Sequence, residues 1–109
     1  MKPTNFTFHD AAAEAADGAI LTVSNGRTLT VEIYGSAENT ARTVAFIARG
    51  PSGVDRALMG VKLSDLSTAT TTTGTGEIWQ FDVTGLVSVF MDLQAITGGT
   101  VTVKGRVVA

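Results

Sequence analysis

Cysteine is missing from the 109-residue chain. Disulfides, thiolate metal sites and cysteine nucleophiles fall away together, and a reducing compartment is compatible with that composition. Histidine is nearly missing too. His9 stands alone, so a catalytic triad or a histidine metal cluster would need carboxylates or a second chain to complete it. Charge is sparse: ten acidic residues against eight basic ones leave a net −2, which exerts no long-range pull on a phosphate backbone and argues against a nucleic-acid partner. The cations are scattered, although Lys104 and Arg106 share a strand face. No apolar run approaches the roughly 18 to 20 residues of a membrane span. The first residues also lack the apolar stretch of about 7 to 15 residues that a signal peptide uses. The expectation is a soluble chain with no membrane partner and no signal peptide.

What is present points to a folded core. The hydrophobic fraction is 44%, the charged fraction is 17% and there are only two prolines, which lies outside the range in which burial fails to offset chain entropy. At this length one domain over residues 1–109 is the default, able to bury about two-thirds of its unfolded surface.

Period-two alternation with β-branched and aromatic enrichment recurs between turn residues and predicts about eight strands. The segments are 5–10, 19–23, 28–34, 42–49, 57–63, 77–83, 87–96 and 100–108. Asn25-Gly26 marks an expected tight turn, since a two-residue hairpin needs positive φ angles that Asn and Gly tolerate, and 50–53 (GPSG) reads as a turn. In 28–34, Leu29, Val31 and Ile33 share one face, and the pattern is that of a half-buried strand. The last three segments are expected to run as a meander. Their inward sets would be Trp79, Phe81 and Val83, then Val87, Val89, Met91, Leu93 and Ala95, then Val101, Val103 and Val107. Residues 11–16 are alanine-rich and fit either a short helix or a continuation of the first strand. Residues 67–76 (STATTTTGTG) lack large apolar groups and read as a mobile loop. Many short strands at such spacing favour an all-β, two-sheet antiparallel sandwich of jelly-roll-like type.

Chemistry is harder to find. His9 falls on the polar face of the first strand and reads as a surface histidine. Asp82 and Asp92 lie on outward faces of neighbouring segments and are a pair of acids that could approach each other as a glycosidase requires, although two solvated carboxylates are the favoured explanation, since small sandwiches seldom leave a deep cleft. Asn5-Phe6-Thr7 matches a glycosylation triplet, but without a secretory route it is a coincidence of composition. Catalytic, cofactor-binding and metal residues are therefore assigned to none, and no cofactor is expected. Trp79 shares a face with Phe81 and Val83 and reads as core. Tyr34, Phe90 and Ile96 point away from the inward sets, and outward apolar groups imply a covered surface, either a subunit contact or a face covered by residues 11–16 or by the threonine-rich segment.

Residues 77–86 (EIWQFDVTGL) and 95–105 (AITGGTVTVKG), with 29–33 (LTVEI) and 60–65 (GVKLSD), resemble small proteins encoded among the structural genes of tailed bacteriophages and prophages of Gram-positive bacteria. The resemblance implies a virion protein made in the host cytoplasm, a capsid decoration or head or tail accessory, whose partners are identical subunits and other virion proteins. A carbohydrate-binding sandwich, with Trp79, Tyr34 and the threonine-rich segment toward a glycan, is the alternative.

Overall fold

Eleven strand pieces and no helix make up residues 2–109, the part that the computed structural model describes. In chain order they are β1 (Thr4–Ala12), β2 (Leu21–Thr22), β3 (Thr28–Gly35), β4 (Ala41–Arg49), β5 (Asp55–Ala57), β6 (Gly60–Lys62), β7 (Thr68–Ala69), β8 (Thr71–Thr72), β9 (Glu77–Asp82), β10 (Ser88–Thr97) and β11 (Val101–Val108). They form two antiparallel sheets, as the alternation predicts. The six-stranded sheet has the order β1-β11-β3-β9-β6-β7, the five-stranded sheet β2-β10-β4-β5, and β8 also pairs with β4.

Alternation puts one face of each strand between the layers. Leu29, Val31 and Ile33 of β3, Trp79 and Phe81 of β9 and Val101, Val103 and Val107 of β11 meet Val44, Phe46 and Ala48 of β4 and Val89, Met91 and Leu93 of β10. Phe46 is the aromatic centre, its ring lying 5.0 Å from Trp79 and 4.8 Å from Phe81. Gly105 sits in the inward row of β11, where a Cβ would come within 2.7 Å of the Phe8 ring. Only a residue without a side chain admits that ring.

Several expectations need correcting. The last three strands are not a meander: β9 and β11 belong to the six-stranded sheet and β10 to the other, so the chain crosses between layers at 83–87 and again at 98–100. Val87, expected inward, lies in the first crossing and is 50% exposed. In β10 the pairing with β4 slips between Leu93 and Ala95. One extra residue in a strand reverses the face of everything after it, so Ala95 turns to solvent and Ile96 turns in to pack on the core. The expected strand 57–63 divides into β5 and β6, one in each sheet. Residues 11–16 contain no helix; β1 continues to Ala12 and Ala16 then bridges to Leu93.

The threonine-rich segment is not a loop either. Thr68–Ala69 pairs with β6 and Thr71–Thr72 with β4, and Phe46 donates its N–H to the Thr70 carbonyl at 2.9 Å. β-branched threonines suit a strand, and their methyl and hydroxyl groups serve a half-buried position.

Candidate functional site

Two outer faces remain once the core is accounted for. On the six-stranded sheet the register aligns Thr7, Lys104, Glu32 and Ile78 in one row and Asn5, Arg106, Thr30, Gln80 and Val61 in the next. These side chains line a shallow depression over Gly105, bounded by Asn5, Thr7, Lys104, Arg106, Glu32 and Ile78. Among the described residues neither Lys104 nor Arg106 has an ion-pair partner. Ile78 is 42% exposed, Leu63 of the adjoining turn 40% and Tyr34 37%. Tyr34 lies two positions beyond Glu32, diagonal to Ile78, so ring and alkyl group border one surface. Polar and charged groups surround a modest apolar area, the composition of an association surface.

Of the three residues expected at an interface, only Tyr34 is exposed on an outer face. Phe90 points outward from β10 but is 2% exposed. It lies beside Ile47 on β4, and the Arg49 guanidinium covers its ring 5.1 Å from the centroid, held by Asp55 at 2.5 Å. A guanidinium over a ring face is an attractive contact that also shields the ring from water. Ile96 is in the core layer for the reason given above.

Asp82 and Asp92 are not neighbours. They sit on the outer faces of opposite sheets with the core between them, which removes the paired-acid arrangement. The backbone N–H of Thr84 and its hydroxyl hold the Asp82 carboxyl below its ordinary value of 3.8. Burial pushes the Asp92 carboxyl above 3.8, Gln94 opposes that, the facing Asp17 adds to it, and His9 opposes it weakly. Among the described residues no group of three or more His, Asp or Glu is set to hold a metal.

His9 departs from its expected place on the surface. A register shift in β1 between Thr7 and His9 lets both Phe8 and His9 point inward, and the imidazole is 5% exposed with Nε2 2.5 Å from the Met91 carbonyl. Trp79 is buried as expected, at 2% exposure. Its indole Nε1 donates to Glu77 Oε1 at 3.1 Å. The same oxygen accepts the Thr72 hydroxyl at 2.5 Å, and Lys62 Nζ lies 3.5 Å from Glu77 Oε2. The alternation holds the signal for Ile78, since 78 opposes the inward Trp79 and Phe81; nothing in the sequence marks Glu77 as a hub, because its partners come from three separate segments.

The family model described as XepA matches residues 2–107 of this chain. The Phage-like element PBSX protein XepA of Bacillus subtilis (strain 168) is 41% identical over 108 residues, 99% of this chain and 38% of that protein. The SPbeta prophage-derived uncharacterized protein YomS of the same organism is 41% identical over 106 residues, 97% of this chain and 87% of YomS. The crystal structure of the SPBc2 prophage-derived protein YomS superposes with a TM-score of 0.92 at 40% identity, over 99% of this chain and 94% of that one. The crystal structure of the PBSX exported protein XepA gives 0.95 at 39% identity, over 99% of this chain and 38% of that one. The chain thus spans well under half of XepA and nearly all of YomS. Its outer faces and core follow one strand plan with these phage-derived proteins, and the chain belongs to the XepA family.

Proposed function

We propose that this phage-associated protein is a non-enzymatic component of the virion, a capsid decoration or head or tail accessory protein that docks through the outer face of its six-stranded sheet. The observation that supports this reading is the exposed set Tyr34, Ile78 and Leu63, flanked by Lys104 and Arg106, which have no ion-pair partner among the described residues. Identical subunits and neighbouring virion proteins are its partners. Flat sheet faces suit such contacts, because a symmetric assembly repeats one patch many times and needs only modest affinity at each. The description of XepA as exported is compatible with a destination outside the cell, which a particle supplies.

The test combines sedimentation of the purified chain with co-sedimentation on particles of the phage or prophage that carries its gene. The expected result is a homo-oligomer, particle binding, or both, lost in the double variant Tyr34→Asp with Ile78→Asp while circular dichroism remains that of the parent. A dilute monomer with no affinity for particles overturns the proposal. The carbohydrate reading is weaker: Trp79 is buried and its N–H is spent on Glu77, so Tyr34 is the one exposed ring among the described residues. Hits on a glycan array that disappear with Tyr34→Ala would restore it.

A further inference from the structure

After β1 the chain leaves the six-stranded sheet, crosses the side of the sandwich and joins the edge of β10. There Ala16 N–H donates to the Leu93 carbonyl at 3.0 Å and Leu93 N–H to the Ala16 carbonyl at 2.9 Å. Beyond such a doubly bonded pair an antiparallel ladder has a non-bonded pair, where facing side chains are closest. One step along, this register sets Asp17 opposite Asp92. Gly18 then turns away at φ +72°, a conformation glycine adopts without strain, and Ala19 donates to the Phe8 carbonyl at 3.0 Å.

That turn carries the chain off β10, and His9 fills the opening: its Nε2 contacts the Met91 carbonyl at 2.5 Å. A carbonyl only accepts, so Nε2 carries the proton. Gly18 lies against the ring, since a Cβ there would fall 2.6 Å from both Cε1 and Nε2. The crossing is therefore tied to β10 at Leu93 and to β1 at Phe8, with the two carboxyls opposed between these ties and His9 joining β1 to Met91 beside them.

The charged surroundings of that pair are few. The crossing segment brings Asp17, with Glu14 three residues earlier, and β1 brings His9 and its neighbour Asp10. From β10, Gln94 Nε2 donates to Asp92 Oδ2 at 3.4 Å. The residue opposite Asp92 on β4 is the uncharged Ala45, and Arg49 further along β4 is engaged by Asp55. Among the described residues no lysine or arginine pairs with Asp17 or Asp92.

We propose that this crossing is an acid-tightened clasp, in which the Asp92 carboxyl in acid donates to Asp17 and holds the segment on β10, and at neutral pH repels it so that the segment opens from the β10 edge more often. Like charges directly opposed across strands destabilise the pairing, whereas a carboxyl donating to a carboxylate makes a short, strong hydrogen bond. Burial of Asp92 acts in the same sense, because a desolvated carboxyl favours its neutral form. Opening uncovers the main-chain N–H and carbonyl of Leu93, an unpaired stretch of strand edge able to accept another strand.

Amide hydrogen exchange on the intact chain, expressed as protection relative to the intrinsic rate at each pH, tests this at Ala16 and Leu93. Between about pH 4.5 and pH 7.5 protection at both amides is expected to fall roughly two- to fivefold, while the Leu58 amide, bonded to the Phe46 carbonyl at 2.8 Å at the other side of the molecule, keeps its value. In Asp17→Asn and in Asp92→Asn the two amides should show equal protection at both pH values, at the acid level of the parent. Constant protection in the parent, or a fall that survives both substitutions, overturns the proposal.

Discussion

Glu77 and Trp79 stand two residues apart on the inward face of β9, and the carboxylate accepts the indole N–H at 3.1 Å while taking the Thr72 hydroxyl on the same oxygen. One side chain thus satisfies a tryptophan of the central layer and pins the threonine-rich segment. Gly74 packs so close that a Cβ there would meet Glu77 Oε2.

Replacing Glu77 by Ala leaves the Trp79 and Thr72 donors without their acceptor, and an orphaned buried group costs about 1–3 kcal/mol. Glu77→Ala is therefore expected to lower unfolding free energy by that amount in urea titration. Glu77→Gln, which keeps an acceptor oxygen, should lose less.

Gly105→Ala is expected to destabilise by about 1–3 kcal/mol, the cost of overpacking a filled core. Its new methyl would come within 2.7 Å of the Phe8 ring and 3.1 Å of Leu29 Cδ1. A thermal unfolding midpoint equal to that of the parent would show that β1 shifts outward freely.

Two buried phenylalanines should respond unequally. Phe46→Ala empties the centre of the core and should cost about 3–5 kcal/mol. Phe90 lies outside the main core under Arg49, where the vacated space opens to solvent, so Phe90→Ala should cost clearly less, and Arg49→Ala about 0.5–1 kcal/mol through the lost ring contact. Denaturant midpoints of the three variants give the order.

Stability against pH should carry two opposite carboxylate signatures. The folded Asp92 holds its proton above the ordinary 3.8, so its contribution is present below that value and is lost as pH rises through the folded pKa. The folded Asp82 holds its proton below 3.8, so its contribution is present above 3.8 and is lost as pH falls. Asp92→Asn should flatten the stability profile on the neutral side of 3.8, and Asp82→Asn on the acid side, in chemical denaturation repeated across pH.

Alternation in the sequence made β3, β4, β9, β10 and β11 legible, because each buries one face in full. It could not assign strands to sheets. Residues 77–83 and 87–96 flank Thr84-Gly85 as a hairpin would, yet the chain crosses from one layer to the other there; the local turn chemistry is the same in both cases. Within the strands, His9 and Ile96 face opposite to what alternation predicts, and each follows a register shift. A bulge adds one residue without any residue type that announces it. The candidate surface was half legible: Tyr34 stands out by parity, while Ile78 and the unpaired cations gain meaning only once β9, β3 and β11 are known to lie side by side.

The stretch from β5 to β9 passes from one layer to the other three times, with β5 and β8 on the five-stranded side and β6, β7 and β9 on the other. The molecule is bound like a book along that flank, its covers stitched by continuous chain. Across the opposite flank the covers are joined by the segment 13–20 with its bridge at Ala16, by the 23–27 connection from β2 to β3 and by the imidazole of His9. An opening that turned about the stitched spine would part the covers at β1 and at the Ala16 bridge.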